Sequence, residues 1–257
     1  GDFKGRLLAW ADAFDTVIYL DHNNYPSTRD DLHSWDVLVA VGCHDAVEVP
    51  VGGAFDAFEA FYARNKGQWM FGYLAYDLKN EVEALESNHF DGMNWPDLFF
   101  FVPQVVIGVK NNEAFLFSKE TDHFPILGNV LNTPPCQSYY PPETVHLLPR
   151  IPKTDYLEQV STIRRHIAEG DIYEMNFCQE FYAEKVKLDA IGSFNRLNKL
   201  SAAPFASYIR RHHRHLLCAS PERFLRKDGP VLTTQPIKGT RRRSADPEED
   251  AQINYEA

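Results

Sequence analysis

The chain has 257 residues, of which 44% are hydrophobic, so it can bury a large core in one or two domains. Its 26 lysines and arginines are outnumbered by 36 acidic residues, and the formal net charge of −10 argues against a nucleic acid or an anionic membrane as the main partner. The four cysteines are scattered without C-x-x-C spacing and no apolar run approaches the ~20 residues that would cross a bilayer, so we expect reduced thiols and a cytoplasmic location.

Apolar runs predict a sheet in the N-terminal part of the chain. The runs at 17–20 and 37–41, separated by polar and proline-containing sequence, are typical of strands joined by a loop. Aromatic residues at three- and four-residue spacing between Phe55 and Tyr62 predict a helix with one core-facing side that ends near Gly67. Four further strands are predicted, the last two as a hairpin: 69–76, 98–102, 105–109 and 114–118.

Prolines and weak periodicity from 125 to 152 predict an exposed connection without a helix or strand. After it, an apolar stripe from Leu157 to Ile167 predicts a helix, with Thr154 as its N-cap and Gly170 just past its end. A second amphipathic helix is predicted at 191–200, and strands at 205–209, 216–220 and 231–235. Helices packed on sheets make the fold class α+β.

A run rich in arginine and histidine, Arg211 to His215, raises the alternatives of a metal site and of a nucleic-acid site. Its spacing matches no standard zinc site, and it falls between two predicted strands. We therefore predict a polar turn there, with no metal-ligating residues in this chain and no nucleic-acid partner.

Two residues suggest an acid and a nucleophile. Lys238 lies in an apolar, glycine-flanked turn beside three consecutive arginines, and both desolvation and nearby positive charge favour the neutral amine that can attack carbon. Glu222 stands sixteen positions earlier, where a neighbouring strand would end, and a carboxylic acid there could protonate a leaving group. The alternatives are that Lys238 is a solvated loop lysine and that Glu222 is a structural acid paired with Arg223 or Arg241.

Four segments follow one another in a fixed order: 170–177 (G-D-I-Y-E-M-N-F), 203–205 (A-P-F), 220–224 (S-P-E-R-F) and 236–241 (P-I-K-G-T-R). This order resembles the chorismate-utilising enzymes and, among them, most closely the aminodeoxychorismate synthase component I branch that leads to para-aminobenzoate. That branch carries the lysine of P-I-K-G-T, where anthranilate synthases usually carry alanine. The segment 69–77, with a G-Y-L-x-Y-D core, is similar to the family's N-terminal half.

The resemblance implies a fold of layered antiparallel sheets with outer helices, like that of anthranilate synthase component I, with only the N-terminal part of the full fold in these residues. It divides the chain into three parts. A sheet-rich half at 1–125 would hold a tryptophan pocket, a proline-rich connection would span 126–152, and 153–257 would begin the chorismate-binding catalytic half.

The resemblance also implies an enzyme of folate precursor synthesis, a transferase that replaces a ring hydroxyl of chorismate by an amino group. The ammonia would come from a glutamine amidotransferase partner. Lys238 would attack the ring as a covalent nucleophile, Glu222 would protonate the departing hydroxyl, and ammonia would then displace the lysine. The implied substrate-binding residues are Asn176, Gly239, Thr240 and Arg241.

Five residues stand where the family places the walls of a tryptophan pocket: Asp21, His22, Pro204, Phe205 and Ala206. The ammonium of an amino acid would need a carboxylate such as Asp21, and its indole an apolar wall. As an alternative, Asp21 and His22 simply end a strand and begin a turn.

The family's catalytic histidine, its glycine-rich carboxylate-binding loop and its glutamates for Mg²⁺ belong to a region that follows Ala257. The resemblance therefore implies a magnesium cofactor whose ligands lie beyond this chain, and a chain that is catalytically incomplete by itself. Two further alternatives stay open. One is anthranilate or isochorismate synthase chemistry on chorismate, and the other is a non-catalytic module that binds tryptophan or a partner.

Overall fold

A computed structural model describes residues 2–26, 32, 34–119, 123–136, 145–237, 244 and 246–250. The chain divides into two compact units, the first formed by Gly1–Gln137 with Ala190–Ala257 and the second by Ser138–Asp189. The first unit therefore combines residues from both ends of the chain, whereas the sequence predicted consecutive parts that meet at 125 and 152.

The secondary structure comprises five α-helices, one 3₁₀ helix and thirteen strands among the described residues. The α-helices are α1 (Phe3–Ala11), α2 (Ala54–Arg64), α3 (Phe124–Asn132), α4 (Lys153–Glu169) and α5 (Ala190–Ser201), and the 3₁₀ helix is Tyr76–Glu81. The strands are β1 (Thr16–Asp21), β2 (Val37–Val41), β3 (Asp45–Val49), β4 (Phe71–Leu74), β5 (Leu98–Val102), β6 (Val105–Lys110), β7 (Glu113–Ser118), β8 (Leu148–Pro149), β9 (Phe181–Tyr182), β10 (Phe205–Arg211), β11 (Arg214–Ser220), β12 (Arg223–Asp228) and β13 (Val231–Gln235).

A six-stranded antiparallel sheet in the order β11-β10-β1-β2-β6-β7 forms the centre of the first unit. β1 pairs on one side with β2 and on the other with β10, with Thr16 opposite Arg211 and Asp21 opposite Ala206. Five of the six residues of β1 are buried, because both faces of the sheet are covered. Successive side chains of a strand point to opposite faces, so Val17 and Tyr19 enter one core while Ile18 enters another.

Three apolar clusters define the layers. The largest lies between the six-stranded sheet and α1, α3 and α5, with Leu7, Val130 and Phe194 as its helical members. A second cluster joins this sheet to a three-stranded antiparallel sheet of order β3-β5-β4. The third lies between that smaller sheet and α2, where Phe61 is fully buried. The first unit is thus built as helices, sheet, sheet and helix, which confirms the predicted α+β fold of layered antiparallel sheets with outer helices.

The second unit contains α4 and the short β8–β9 pair. α4 ends at Gly170, whose φ of 83° is a left-handed conformation that glycine adopts without strain, as predicted. The predicted N-cap at Thr154 is wrong. Pro152 occupies that position, and the Thr154 hydroxyl instead donates to Asp155 Oδ1 at 2.9 Å.

The prediction of an exposed connection without elements from 125 to 152 is also wrong, because α3 extends into it. Pro125 lies in the first turn, where the missing N–H costs no helical hydrogen bond. Ile126 and Val130 are four residues apart and both are buried in the largest cluster. Because Gly128 and the neighbouring prolines disfavour a helix, the sequence did not indicate this short apolar stripe as one. Helix α1 and strand β3 were also not predicted.

Two predicted turns are confirmed. Asn111 and Asn112 join β6 to β7, both with positive φ, which is the geometry of a tight hairpin turn. His212, with a φ of 55°, turns the chain between β10 and β11, so the run from Arg211 to His215 is a polar turn with its flanking strand ends.

Candidate functional site

The β12–β13 hairpin brings two of the sequence motifs side by side. Arg223 at the start of β12 pairs with Gln235 at the end of β13, and Arg223 Nε donates to Gln235 Oε1 at 2.7 Å. Glu222 directly precedes this pair on one strand, and Pro236 and Ile237 directly follow it on the other. The open end of the hairpin therefore places the acid motif next to the start of the lysine motif.

Glu222 occupies a short turn between β11 and β12, and its side chain is exposed. The turn is closed locally, since the Glu222 amide donates to Ser220 Oγ at 3.3 Å and the Ser220 hydroxyl donates to the Glu222 carbonyl oxygen at 3.2 Å. These contacts hold the backbone and leave the carboxyl group open to solvent, where a ligand can reach it.

The predicted nucleophile and three predicted substrate-binding residues lie outside the described residues: Lys238, Gly239, Thr240 and Arg241. Asn176, the fourth predicted substrate-binding residue, belongs to the second unit and is exposed in the segment that follows α4. The roles of all five residues stay predictions, together with that of Glu222.

All five residues predicted for a tryptophan pocket line one cavity of about 460 Å³ in the first unit. The register explains this, because Asp21 at the end of β1 lies opposite Ala206 near the start of β10. Pro204 and Phe205 lead into β10, and His22 follows Asp21 in the chain. Two stretches that are far apart in sequence thus meet at one end of a strand pair.

Asp21 is buried and already engaged by protein groups. Its Oδ1 accepts from Lys4 Nζ at 2.8 Å and from the Asn23 amide at 2.8 Å, and its Oδ2 accepts from Asn198 Nδ2 at 3.3 Å. The contact with Asn23 is the turn that the alternative interpretation predicted. Burial, and then the charge of Asp21, raise the pKa of Tyr19 well above its ordinary value, so this core tyrosine stays neutral beside Asp21.

The structure adds cavity residues that the sequence did not predict. Trp35 lies just before β2, and Val37 of β2 is opposite Asp21. A prediction that β1 and β2 pair in this antiparallel register would have placed Trp35 in the cavity. Its indole packs over Gly108 of β6, where a Cβ would lie 2.5 Å from the ring. The remaining additions are Leu20, Leu32, Ser34, Leu38, Ser207, Arg223, Arg226 and Lys227.

Three cations of β12 line the same cavity: Arg223, Arg226 and Lys227. Arg223 lies over the Phe205 ring, with 4.9 Å between its guanidinium carbon and the ring centroid, which connects the hairpin of the acid motif to the cavity. Arg226 Nη2 pairs with Asp228 Oδ2 at 3.0 Å. With Lys227, these residues give the cavity wall a positive charge that suits a carboxylate.

Within the residues that the structure describes, one group has the spacing of metal ligands: His166, Glu169 and Asp171 at the end of α4. His166 Nδ1 contacts Asp171 Oδ2 at 2.7 Å, and Arg165 pairs with Glu169 at 3.0 Å. Magnesium prefers oxygen ligands and several waters, and a neighbouring guanidinium opposes a cation. The group therefore does not fit the magnesium ion that the family resemblance implies.

No helix in the described part of the chain is both long enough and apolar enough to span a membrane. The four cysteines are free thiols.

Comparison with known proteins identifies the relatives of this chain. The sequence profile of the family described as chorismate binding enzyme matches residues 46–256. An anthranilate synthase component I-like protein of Synechocystis sp. is 28% identical over 197 residues, which cover 74% of this chain and 40% of that protein. Aminodeoxychorismate synthase component 1 of Klebsiella aerogenes is 29% identical over 182 residues, covering 70% of this chain and 40% of that protein.

Solved structures support the same fold. Anthranilate synthase component I of Streptococcus pneumoniae matches with a TM-score of 0.63 at 16% identity, over 77% of this chain and 52% of that chain. The menaquinone-specific isochorismate synthase of Escherichia coli matches with a TM-score of 0.55 at 14% identity, over 96% and 54% of the two chains. The chain thus spans about half of these structures and 40% of the relatives above.

Proposed function

This chain belongs to the chorismate-binding enzyme family, and from that premise we propose that it is the aminating component of an aminodeoxychorismate synthase. The product would be 4-amino-4-deoxychorismate, on the route to para-aminobenzoate and folate. The observation that carries the proposal is the pairing of Arg223 with Gln235, which sets the Glu222 motif beside the segment that leads into Lys238. The relatives named aminodeoxychorismate synthase component 1 add support.

The proposed chemistry needs an acid and a nucleophile close together. The neutral Lys238 amine forms a C–N bond to the ring while the C–O bond breaks, and the hydroxyl leaves as water with the proton of Glu222. Ammonia then forms the second C–N bond, and the bond to Lys238 breaks as the lysine recovers its amine. Exposure of Glu222 at a turn is compatible with this role, because the carboxyl group is accessible to a bound ring.

The other predicted participants complete the proposal. Asn176, Gly239, Thr240 and Arg241 would bind chorismate, and Arg241 has the charge to pair with a substrate carboxylate. The ammonia would come from glutamine through an amidotransferase partner. The Mg²⁺ ion would be held by groups other than His166, Glu169 and Asp171.

The decisive experiment is the intact mass of the protein after incubation with chorismate and Mg²⁺ without ammonia. We expect a covalent ring adduct that maps to Lys238 in the longest natural form of the protein that contains these residues. Lys238→Ala should abolish the adduct, whereas the control Lys199→Ala, which removes an exposed lysine of α5, should retain it. An adduct that survives on Lys238→Ala would overturn the nucleophile assignment.

Product identification tests the branch of the family. Relatives named anthranilate synthase also match this chain, so the products of a reaction with ammonia should be separated by chromatography before their masses are measured, since isochorismate and chorismate are isomers. Aminodeoxychorismate would support the proposal, whereas anthranilate or isochorismate would replace it with the corresponding alternative. No product together with tryptophan binding would favour the non-catalytic module.

A second proposed role is tryptophan binding in the 460 Å³ cavity, favoured by the meeting of all five predicted residues there. Trp35 and Phe205 offer aromatic surface for an indole, and the β12 cations suit a carboxylate. The ammonium of tryptophan would have to compete for Asp21, since this carboxylate already accepts from Lys4. Calorimetric titration with tryptophan tests this role, and Phe205→Ala should weaken binding by roughly tenfold or more if the indole packs there.

A further inference from the structure

A second cavity, of about 430 Å³, lies in the first unit away from the residues assigned above. Its apolar surface comes from Tyr73, Trp95, Pro96 and Leu216, and the Tyr73 and Trp95 rings are 5.6 Å apart. The Tyr73 hydroxyl donates to the Pro96 carbonyl at 3.0 Å, which fixes the position of this ring in the cavity wall. Tyrosine and tryptophan faces attract cations.

Three carboxylates surround this aromatic surface: Asp77, Asp91 and Asp97. Asp91 Oδ1 accepts from the Met93 and Asn94 amides, and Asp97 Oδ2 accepts from the Val51 amide, so backbone contacts hold both side chains in place. Asp77 pairs with Lys79 at 2.8 Å at an exposed position. His215, the basic residue on the wall, has a pKa lowered by burial and then by Arg210, which favours its neutral form.

One residue of the cavity wall, Trp95, carries a hydrogen-bond donor that the described residues do not use. Trp95 Nε1 is buried and has no hydrogen-bond partner among the described residues. A buried N–H without an acceptor is costly, and a bound group that brings a carbonyl oxygen would remove that cost. The site therefore suits a ligand that carries a positive charge together with a carbonyl.

The rim is apolar and exposed. Leu74 and Met93 line the cavity with 54% and 65% of their surface exposed, and Tyr76 lies beside them in sequence at 83%. Such exposed apolar residues around an acidic centre are typical of a protein interaction surface. An isolated small cation would leave them uncovered, whereas a basic side chain flanked by apolar neighbours would cover them.

We propose that this cavity is a docking site for a lysine or arginine side chain that a protein partner presents between apolar residues. The cation lies against Tyr73 and Trp95 within reach of the three aspartates, the adjoining peptide carbonyl accepts from Trp95 Nε1, and the flanking apolar side chains pack on Leu74 and Met93. Charge complementarity selects the partner's chemistry, because three aspartates line the cavity and, among the described residues, only Asp77 is paired with a lysine, Lys79. The proposal is independent of the reaction assigned to the enzyme.

The test uses the 257-residue chain with its four tryptophans labelled for indole ¹⁵N NMR. The probe is acetyl-Leu-Arg-Leu-amide, with acetyl-Leu-Gln-Leu-amide and acetyl-Leu-Glu-Leu-amide as matched peptides. We expect the arginine peptide alone to shift the Trp95 signal, which the Trp95→Phe variant identifies, while the Trp35 signal in the other cavity stays unchanged. The shift should weaken as salt screens the charges.

Two variants separate charge from structure. Asp77→Asn with Asp91→Asn removes two charges, and the asparagine at 91 keeps an oxygen for the turn, so arginine-peptide affinity should fall roughly three- to tenfold. Glu86→Gln removes one charge from the same exposed segment outside the cavity and should leave affinity unchanged. Equal binding of the three peptides, an unchanged affinity in the double variant, or equal affinity for butylammonium would overturn the proposal.

Discussion

Asp21 determines which charges the 460 Å³ cavity can accept. The family resemblance marked it as the receptor for a ligand ammonium, but its two oxygens are occupied by Lys4, Asn23 and Asn198. A motif can show that a carboxylate lines a pocket, but it cannot show that a lysine 17 residues earlier has already paired with it. The pairing arises from the packing of α1 against the sheet, which is a tertiary event.

Lys4→Met should free one acceptor position on Asp21 Oδ1, which still accepts from the Asn23 amide. We expect tryptophan to bind roughly three- to tenfold more tightly, because a charge-assisted hydrogen bond to its ammonium becomes available. Indole-3-propionate, which lacks the ammonium, should bind with unchanged affinity; both are measured by calorimetry. Equal changes for the two ligands would show that Lys4 acts on the cavity's shape and not through Asp21.

His215 should make stability depend on pH. Burial and Arg210 lower its pKa below the value of 6.5 for an unperturbed histidine, so the unfolded chain takes up this proton first as pH falls. The free energy of unfolding should therefore decrease as pH falls through about 6.5 toward the folded-state pKa. Urea titrations between neutral pH and roughly pH 5 should show a flatter profile for His215→Gln than for the exposed-residue control His89→Gln.

Periodicity predicts elements best where the repeat is long and the ends carry strong signals. The helix that became α4 has an apolar stripe and a terminal glycine, and the β6–β7 hairpin has paired asparagines in its turn. α3 was missed because its stripe consists of few residues between prolines and encloses Gly128. Its burial comes from contact with α1, which local sequence does not encode.

Substitutions of two glycines test this account of the helices. Gly170 follows the end of α4, and Gly128 lies inside α3. Gly170→Ala forces a side chain into a left-handed conformation with a φ of 83° and should destabilise the second unit by about 1 kcal/mol. Gly128→Ala lies inside α3 with open space around its Cβ and should stabilise the first unit by about 0.5–1 kcal/mol. Amide hydrogen exchange in α4 and α3 measures both changes, and a loss of protection in both variants would contradict this account.

For the candidate site, the family resemblance named individual residues but did not show which other residues lie next to them in space. The five pocket residues do line one cavity, because a strand pair joins Asp21 to Ala206. Trp35 and the β12 cations were missed, since they enter the cavity through strand register and a hairpin that single-sequence patterns do not specify. The mass experiment tests the role of Lys238, and the roles of Glu222 and Asn176 stay predictions.

The first unit depends on strands from distant parts of the chain. β10 covers one side of β1, and α5 brings Phe194 onto Tyr208 and Tyr19 in the largest core cluster. Without these elements, β1 would present an open edge and the cluster would lose part of its cover. The sheet's integrity is therefore a property of the whole chain and not of its N-terminal half.

Truncation tests this dependence. A chain ending at Gln137 lacks β10, β11 and α5, so we expect aggregation or a loss of cooperative unfolding. A chain ending at Pro221 keeps all six strands of the large sheet and should still unfold cooperatively. Gel filtration and urea unfolding distinguish the two, and a cooperative monomer of residues 1–137 would contradict the interpretation.

The β1–β10 pairing also sets an order of events on the ribosome. Thr16 and Arg211 are 195 positions apart, yet Arg211 Nη1 donates to Thr16 Oγ1 at 2.9 Å. At a translation rate of ~5–20 residues per second, β1 waits roughly 10 to 40 s before its partner strand is made. During that interval a nascent chain carries the β1 edge and the Tyr19 ring without their final partners, β10 and Phe194, and this is the stage at which a chaperone has the most surface to protect.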